Sequence, residues 1–142
     1  MDLDMEYLLE QLKAVMAIDS PTGYTKNAAE YVCGEYRRLG FDAHLTGKGG
    51  VLVCLNPDAP EDNGLLLMAH LDTLGGMVAE VTGTGRLRLT ALGGMQPNNG
   101  EAENVRIITR EGKTYSGTFQ LKDASVHVNG DYATTSRTWD SM

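Results

Sequence analysis

The residues best suited to chemistry are His70 and Asp72, in the run Leu65-Leu66-Leu67-Met68-Ala69-His70-Leu71-Asp72-Thr73-Leu74-Gly75-Gly76. On an extended chain residues i and i+2 share a face, so the imidazole and the carboxylate can point the same way. An imidazole that binds an ion, with a carboxylate behind it fixing the ring, is how many metal sites are built. The pattern alone leaves a second reading open, in which His70 is a hydrogen-bonded core histidine at a strand end and Asp72 a turn or cap residue. The other candidates are weaker. His44 and His127 read as polar residues on alternating strands. Gly47-Lys48-Gly49-Gly50 lacks the spacing of a phosphate-binding loop and the helix that follows one. The carboxylates of Asp58, Glu61, Asp62, Glu101 and Glu103 sit in polar loops and are expected to be solvated. Ser20, Ser116 and Ser125 have no nucleophile-elbow surroundings, and Trp139 reads as ordinary packing.

The elements that must position this pair can be read from periodicity. Asp4 to Ile18 predicts a helix, with Leu8, Leu9, Leu12, Val15 and Met16 forming one apolar stripe and Asp4 capping the first turn. Asp19-Ser20-Pro21-Thr22-Gly23 breaks it. Thr25 to Leu39 predicts a second helix, with Ala29, Val32, Cys33, Tyr36 and Leu39 on one face and Gly40 as its left-handed stop. Phe41 to Leu45 then alternates as a half-exposed strand, and Val51 to Leu55 follows as a short apolar one. Residues 56–64 have loop composition, and Leu65 to Ala69 predicts a fully buried third strand ending at His70. This is an α/β layer with helices covering a sheet.

Beyond Gly76 no helical period survives. Met77 to Val81 with Arg86 to Thr90, and Val105 to Arg110 with Thr114 to Phe119, predict two hairpins, and Ser125 to Val128 one more strand. Short strands with glycine turns point to a small β-barrel or sandwich. The change of texture sets a domain boundary, with residues 1–75 in the α/β domain and 76–142 in the β domain.

Composition narrows the partners. Twelve Lys and Arg against nineteen Asp and Glu give a net charge of −7, which argues against nucleic acid or an anionic membrane. No apolar run approaches the ~18 residues of a membrane span, and the acidic start Met1-Asp2-Leu3-Asp4 does not resemble a secretory signal. Cys33 and Cys54 lack metal-binding spacing and are expected as buried, reduced thiols. A cytoplasmic location fits these features.

Three segments in fixed order carry a family resemblance: Ser20-Pro21-Thr22-Gly23-Tyr24 between the helices, Met68 to Gly75, and Leu92-Gly93-Gly94. Together with Asn104 to Gly112 and Arg137-Thr138-Trp139-Asp140, this order resembles the two-metal aminopeptidases of the glutamyl-aminopeptidase-like family, which includes the tetrahedral aminopeptidases. The resemblance implies a zinc-exopeptidase-like α/β catalytic domain interrupted, after the His-x-Asp strand, by an inserted β-barrel used for subunit assembly. It implies His70 as the first ligand of a centre of two zinc or two cobalt ions, and Asp72 as the catalytic-centre carboxylate that orients it. Peptide substrates, hydrolysis of their N-terminal residues and a homo-oligomer are implied likewise.

The chain departs from that family in one respect. The centre also needs a bridging aspartate, an adjacent glutamate pair, a further carboxylate and a second histidine. No Glu-Glu pair occurs, and neither His44 nor His127 stands in a ligand context. The 142 residues therefore read as an N-terminal portion with an incomplete barrel, expected to be inactive alone. Two alternatives stand beside this reading: a non-catalytic oligomerisation module, and a fragment of a related zinc amidohydrolase or carboxypeptidase, whose inserted domain usually mixes helices with its sheet.

Overall fold

A computed structural model describes residues 3–58 and 64–142. The chain divides into two compact units, Met1–Leu74 and Gly75–Met142.

In the first unit α1 (Met5–Met16) begins where Asp4 Oδ1 accepts the Tyr7 backbone N–H at 3.0 Å, a side-chain cap that satisfies one of the free donors of the first turn. Two side-chain hydrogen bonds join it to α2 (Lys26–Arg38). The Tyr7 hydroxyl donates to Glu35 at 2.8 Å and the Tyr31 hydroxyl to Gln11 at 2.8 Å. The apolar stripe of α1 is the face left open, with Leu8, Leu9, Leu12 and Met16 all exposed.

Helix α2 ends as the sequence predicts. Gly40 (φ 90°) turns left-handed, the Gly40 N–H reaches Arg37 O at 2.9 Å, and the Phe41 N–H reaches Tyr36 O at 3.0 Å. This pair of bonds is a Schellman motif, closed by the edge-on contact of the Tyr36 and Phe41 rings at 6.1 Å. The chain then forms a hairpin of β1 (Asp42–Leu45) and β2 (Val51–Cys54), paired antiparallel with Ala43 opposite Val53. The buried residues of this unit are small: Ala28, Ala29 and Cys33 on α2, Ala43 on β1, and Ser20. The Arg37 guanidinium donates to Ala43 O at 2.7 Å, tying the last turn of α2 to the strand.

Two expectations are corrected in this unit. Leu65 to Ala69 is not a buried strand. Residues 64–70 pair with no strand among the described residues, and Leu65 and Met68 are 86% and 85% exposed. An apolar run becomes a strand only where a neighbour offers backbone partners, and the β1–β2 hairpin does not. Cys54 is exposed rather than buried, because β2 alternates and Cys54 shares the exposed face with Leu52, whereas Cys33 is buried. Glu61 and Asp62 lie outside the described residues.

The second unit holds two antiparallel hairpins, β3 (Gly75–Val81) with β4 (Leu87–Leu92) and β5 (Asn104–Ile108) with β6 (Thr114–Thr118). A bulge between Val78 and Glu80 shifts the first register, after which Glu80 faces Arg88 across the ladder at 3.0 Å. Among the described residues these two sheets do not join into a closed barrel. Phe119 and Leu121 are buried, and Trp139 packs on Phe119 with ring centres 5.7 Å apart. Ser125 to Val128 is a turn rather than a strand. The Val128 and Asn129 N–H groups both return to Ser125 O, and His127 N–H bonds the Ser125 hydroxyl.

Glu101 is likewise not solvated as expected. Arg137 grips it through Nε at 2.8 Å and Nη2 at 3.0 Å, donates to Tyr132 O and Thr135 O, and stacks 4.8 Å over the Tyr132 ring. These bonds hold the Glu101 carboxyl below its usual pKa, Arg137 contributing most.

Two measurements test this packing. Hydrogen bonds from Arg38 and then Tyr7 lower the Glu35 pKa from 4.5 to about 2. The unfolded chain takes up this proton first, so the stabilising effect is complete above pH 4.5 and disappears as the pH falls through about 2. Tyr7→Phe is expected to move the Glu35 carboxyl titration upward in a carbon-13 NMR experiment, and an unmoved titration would refute the contact. Leu121, 1% exposed, anchors the second unit. Leu121→Ala is expected to destabilise it by about 2–5 kcal/mol in denaturant melts.

Candidate metal centre

The loop after α1 positions the His-x-Asp pair. Ser20-Pro21-Thr22-Gly23 runs beside Leu71-Asp72-Thr73 as a single parallel bridge, Pro21 against Thr73. The Thr73 N–H donates to Ser20 O at 2.8 Å and the Thr22 N–H to Thr73 O at 3.3 Å. The buried Ser20 hydroxyl donates to Leu71 O at 3.1 Å, which occupies it as a brace and not as a nucleophile. Gly23 then takes φ 89° at the position where a type II turn requires it, and the Tyr24 N–H closes on Pro21 O at 2.7 Å. A segment without strand partners is thereby fixed at the residues that matter.

At the end of this bridge the Asp72 carboxylate is shared. Oδ2 accepts the Thr22 hydroxyl at 2.6 Å, and Oδ1 lies 3.3 Å from His70 Nδ1. The same Nδ1 is 2.9 Å from Asp72 O. Both neighbours of Nδ1 are acceptors, so the neutral ring must carry its proton there, and the Nε2 lone pair is left for a Lewis acid. The Asp72 pKa lies below the usual carboxylate range, chiefly through the Thr22 hydrogen bond. The carboxylate therefore stays ionised beside the imidazole. The His70 side chain is 86% exposed, so Nε2 is open to an incoming ion.

The structure thus brings His70 and Asp72 together, as the sequence predicts, though on an irregular segment and not at a strand end. His44, on β1, and His127, in its turn, are both exposed. Among the described residues no group of three or more His, Cys, Asp or Glu side chains could hold a metal ion. The donors present therefore fit one ligand position, an imidazole with its far nitrogen engaged, where a catalytic zinc takes three. Sequence reasoning missed Thr22 as a partner of Asp72. The signal available was a hydroxyl residue inside the Ser-Pro-Thr-Gly turn.

With this geometry in view, comparison with known proteins places the pair in a family. Residues 49–142, which include His70 and Asp72, match the M42 glutamyl aminopeptidase family. The chain belongs to that family. YhfE of Bacillus subtilis (strain 168), named as an aminopeptidase, is 34% identical over 134 residues, 94% of this chain and 38% of its own length. The glutamyl aminopeptidase of Lactococcus lactis subsp. cremoris (strain MG1363) is 26% identical over 106 residues, 75% of this chain and 30% of its own. The chain therefore spans about a third of the length of these relatives. The family resemblance seen in the sequence is borne out, and the match favours it over the amidohydrolase or carboxypeptidase alternative. No helix among the described residues is long and apolar enough to cross a membrane.

The single ligand binds zinc at most weakly, so only a large excess of zinc is expected to move the nitrogen-15 resonance of His70 Nε2, with chelator reversing the effect and His70→Gln abolishing it. A response at Nδ1, or at His44 or His127 in preference, would contradict the assignment.

Proposed function

We propose that this chain is the N-terminal portion of a metal-dependent aminopeptidase that removes N-terminal residues from peptides, and that its 142 residues alone are inactive. One observation carries the proposal: in a chain of the M42 family, His70 presents a free Nε2 while Asp72 engages Nδ1. In this reading His70 supplies one ligand of a two-metal zinc or cobalt centre. When bound, such a pair polarises a peptide carbonyl and lowers the pKa of a bound water. The contribution of this chain is to hold the imidazole in one tautomer and one orientation. Asp72 keeps the ring basic and restrains its rotation about Cβ–Cγ. Residues 1–75 would then be part of the catalytic α/β layer. Residues 76–142 would be part of an inserted barrel through which the protein assembles as a homo-oligomer in the cytoplasm. The support for this division is the contrast between a helical first unit and a second unit of hairpins.

The purified 142-residue chain with added Zn²⁺ or Co²⁺ is expected to leave an aminoacyl-nitroanilide intact. A protein that continues this sequence to the length of its relatives is expected to hydrolyse it, with activity lost on chelation. Turnover by the short chain would sink the inactive-fragment proposal, and a metal-loaded long chain without turnover would sink the aminopeptidase proposal.

A further inference from the structure

We propose that Thr22 is a positioning residue of the metal centre, its hydroxyl selecting the orientation of Asp72 that in turn holds His70. The inference rests on the reading of His70 as a metal ligand. The geometry is specific. The Thr22 hydroxyl donates to Asp72 Oδ2 at 2.6 Å, whereas the backbone bonds that hold the bridge, from Thr73 to Ser20 and from Thr22 to Thr73, do not involve that hydroxyl. The bridge can therefore persist when the hydroxyl is removed. What is lost is the restraint on the carboxylate.

That restraint matters because Asp72 is part-exposed, its side chain 39% accessible, and a carboxylate in water rotates freely about Cβ–Cγ. With Oδ2 tied to Thr22, Oδ1 is the oxygen that faces His70 Nδ1. The imidazole then has two acceptors on one side, Oδ1 and Asp72 O, and its proton is held at Nδ1. A carboxylate free to turn toward solvent leaves the single backbone acceptor, and the ring gains the option of carrying its proton on Nε2, the nitrogen a metal needs bare. Partners behind metal-ligating histidines typically change metal affinity about 10- to 100-fold when removed. Thr22 stands one step further back, 50 residues away in sequence, and acts only through Asp72.

The test uses the 142-residue chain and needs no metal. Nitrogen-15 spectra at a pH where the ring is neutral report which nitrogen of His70 carries the proton, with the His70 signals identified by their loss in His70→Gln. The parent chain is expected to show mainly the Nδ1–H tautomer. Thr22→Val, which keeps the shape and removes the hydroxyl, should shift the ring toward Nε2–H by the larger part of the change seen in Asp72→Ala. Thr22→Ser, which keeps the hydroxyl, should restore the parent spectrum. Equal tautomer populations in Thr22→Val and the parent, with Asp72→Ala displaced, would overturn the inference, as would a Thr22→Ser spectrum matching that of Thr22→Val. Helical circular dichroism melts of each variant separate loss of fold from loss of orientation. Because the readout is a tautomer and not turnover, a failed aminopeptidase assay on the longer protein would refute the aminopeptidase reading, a longer protein that takes up no metal through His70 would refute the metal reading, and both are distinguishable from this result.

Discussion

The first unit depends on a short parallel bridge between residues 20–22 and residues 71–73. Apart from it, the segment carrying His70 has no secondary structure of its own and exposes its leucines to solvent. Two backbone bonds and the Ser20 hydroxyl bring the loop after α1 against this segment. A proline at 21 suits the position, since it gives up a donor the bridge does not use and restricts the chain before the turn. Gly23 then lets the chain reverse into α2. The composition of Ser-Pro-Thr-Gly, whose local pattern reads as a helix break, is thus the composition of a clasp.

How far the fold could be read in advance follows from how local each determinant is. Both helices are legible because period, cap and stop all lie within the element. Asp4 caps one, Gly40 ends the other, and the observed ends fall within two residues of those expected. The hairpins are legible for a related reason, since each turn joins strands that pair with each other. Leu65 to Ala69 fails because a strand is a property of a pair. Its apolar run says that it favours burial, but the backbone partner would have to come from elsewhere. Ser125 to Val128 fails for the opposite reason. Its alternation is real, yet the hydroxyl and carbonyl of Ser125 capture the following N–H groups and bend the segment before it can extend.

The contacts least visible in the sequence join residues far apart along the chain. Glu101 and Arg137 are 36 positions apart, and nothing near Glu101 distinguishes it from Glu103, which is exposed. Only the fold brings a planar guanidinium to a carboxylate, two carbonyls and a tyrosine ring at once, a set of partners lysine could not satisfy. Thr22 and Asp72 are of the same kind. His70 and Asp72 were legible because they are two residues apart, and the group that aims Asp72 was not.

This difference bears on what His70 would contribute as one ligand of the proposed metal centre. An isolated imidazole offers an ion a ligand that can rotate, change tautomer and turn away, and each freedom must be removed when the ion binds. In this chain the removal is largely complete beforehand. The bridge fixes the backbone at Thr73, Thr22 fixes the carboxylate, and the carboxylate with Asp72 O fixes the ring proton. Such preorganisation adds no ligand, so it cannot turn one donor into a binding site. It lowers the cost of completing one, because ligands supplied from elsewhere would meet a ring already in the protonation state and orientation that coordination requires. The chemistry proposed for this chain would therefore begin in a loop that contains no ligand at all.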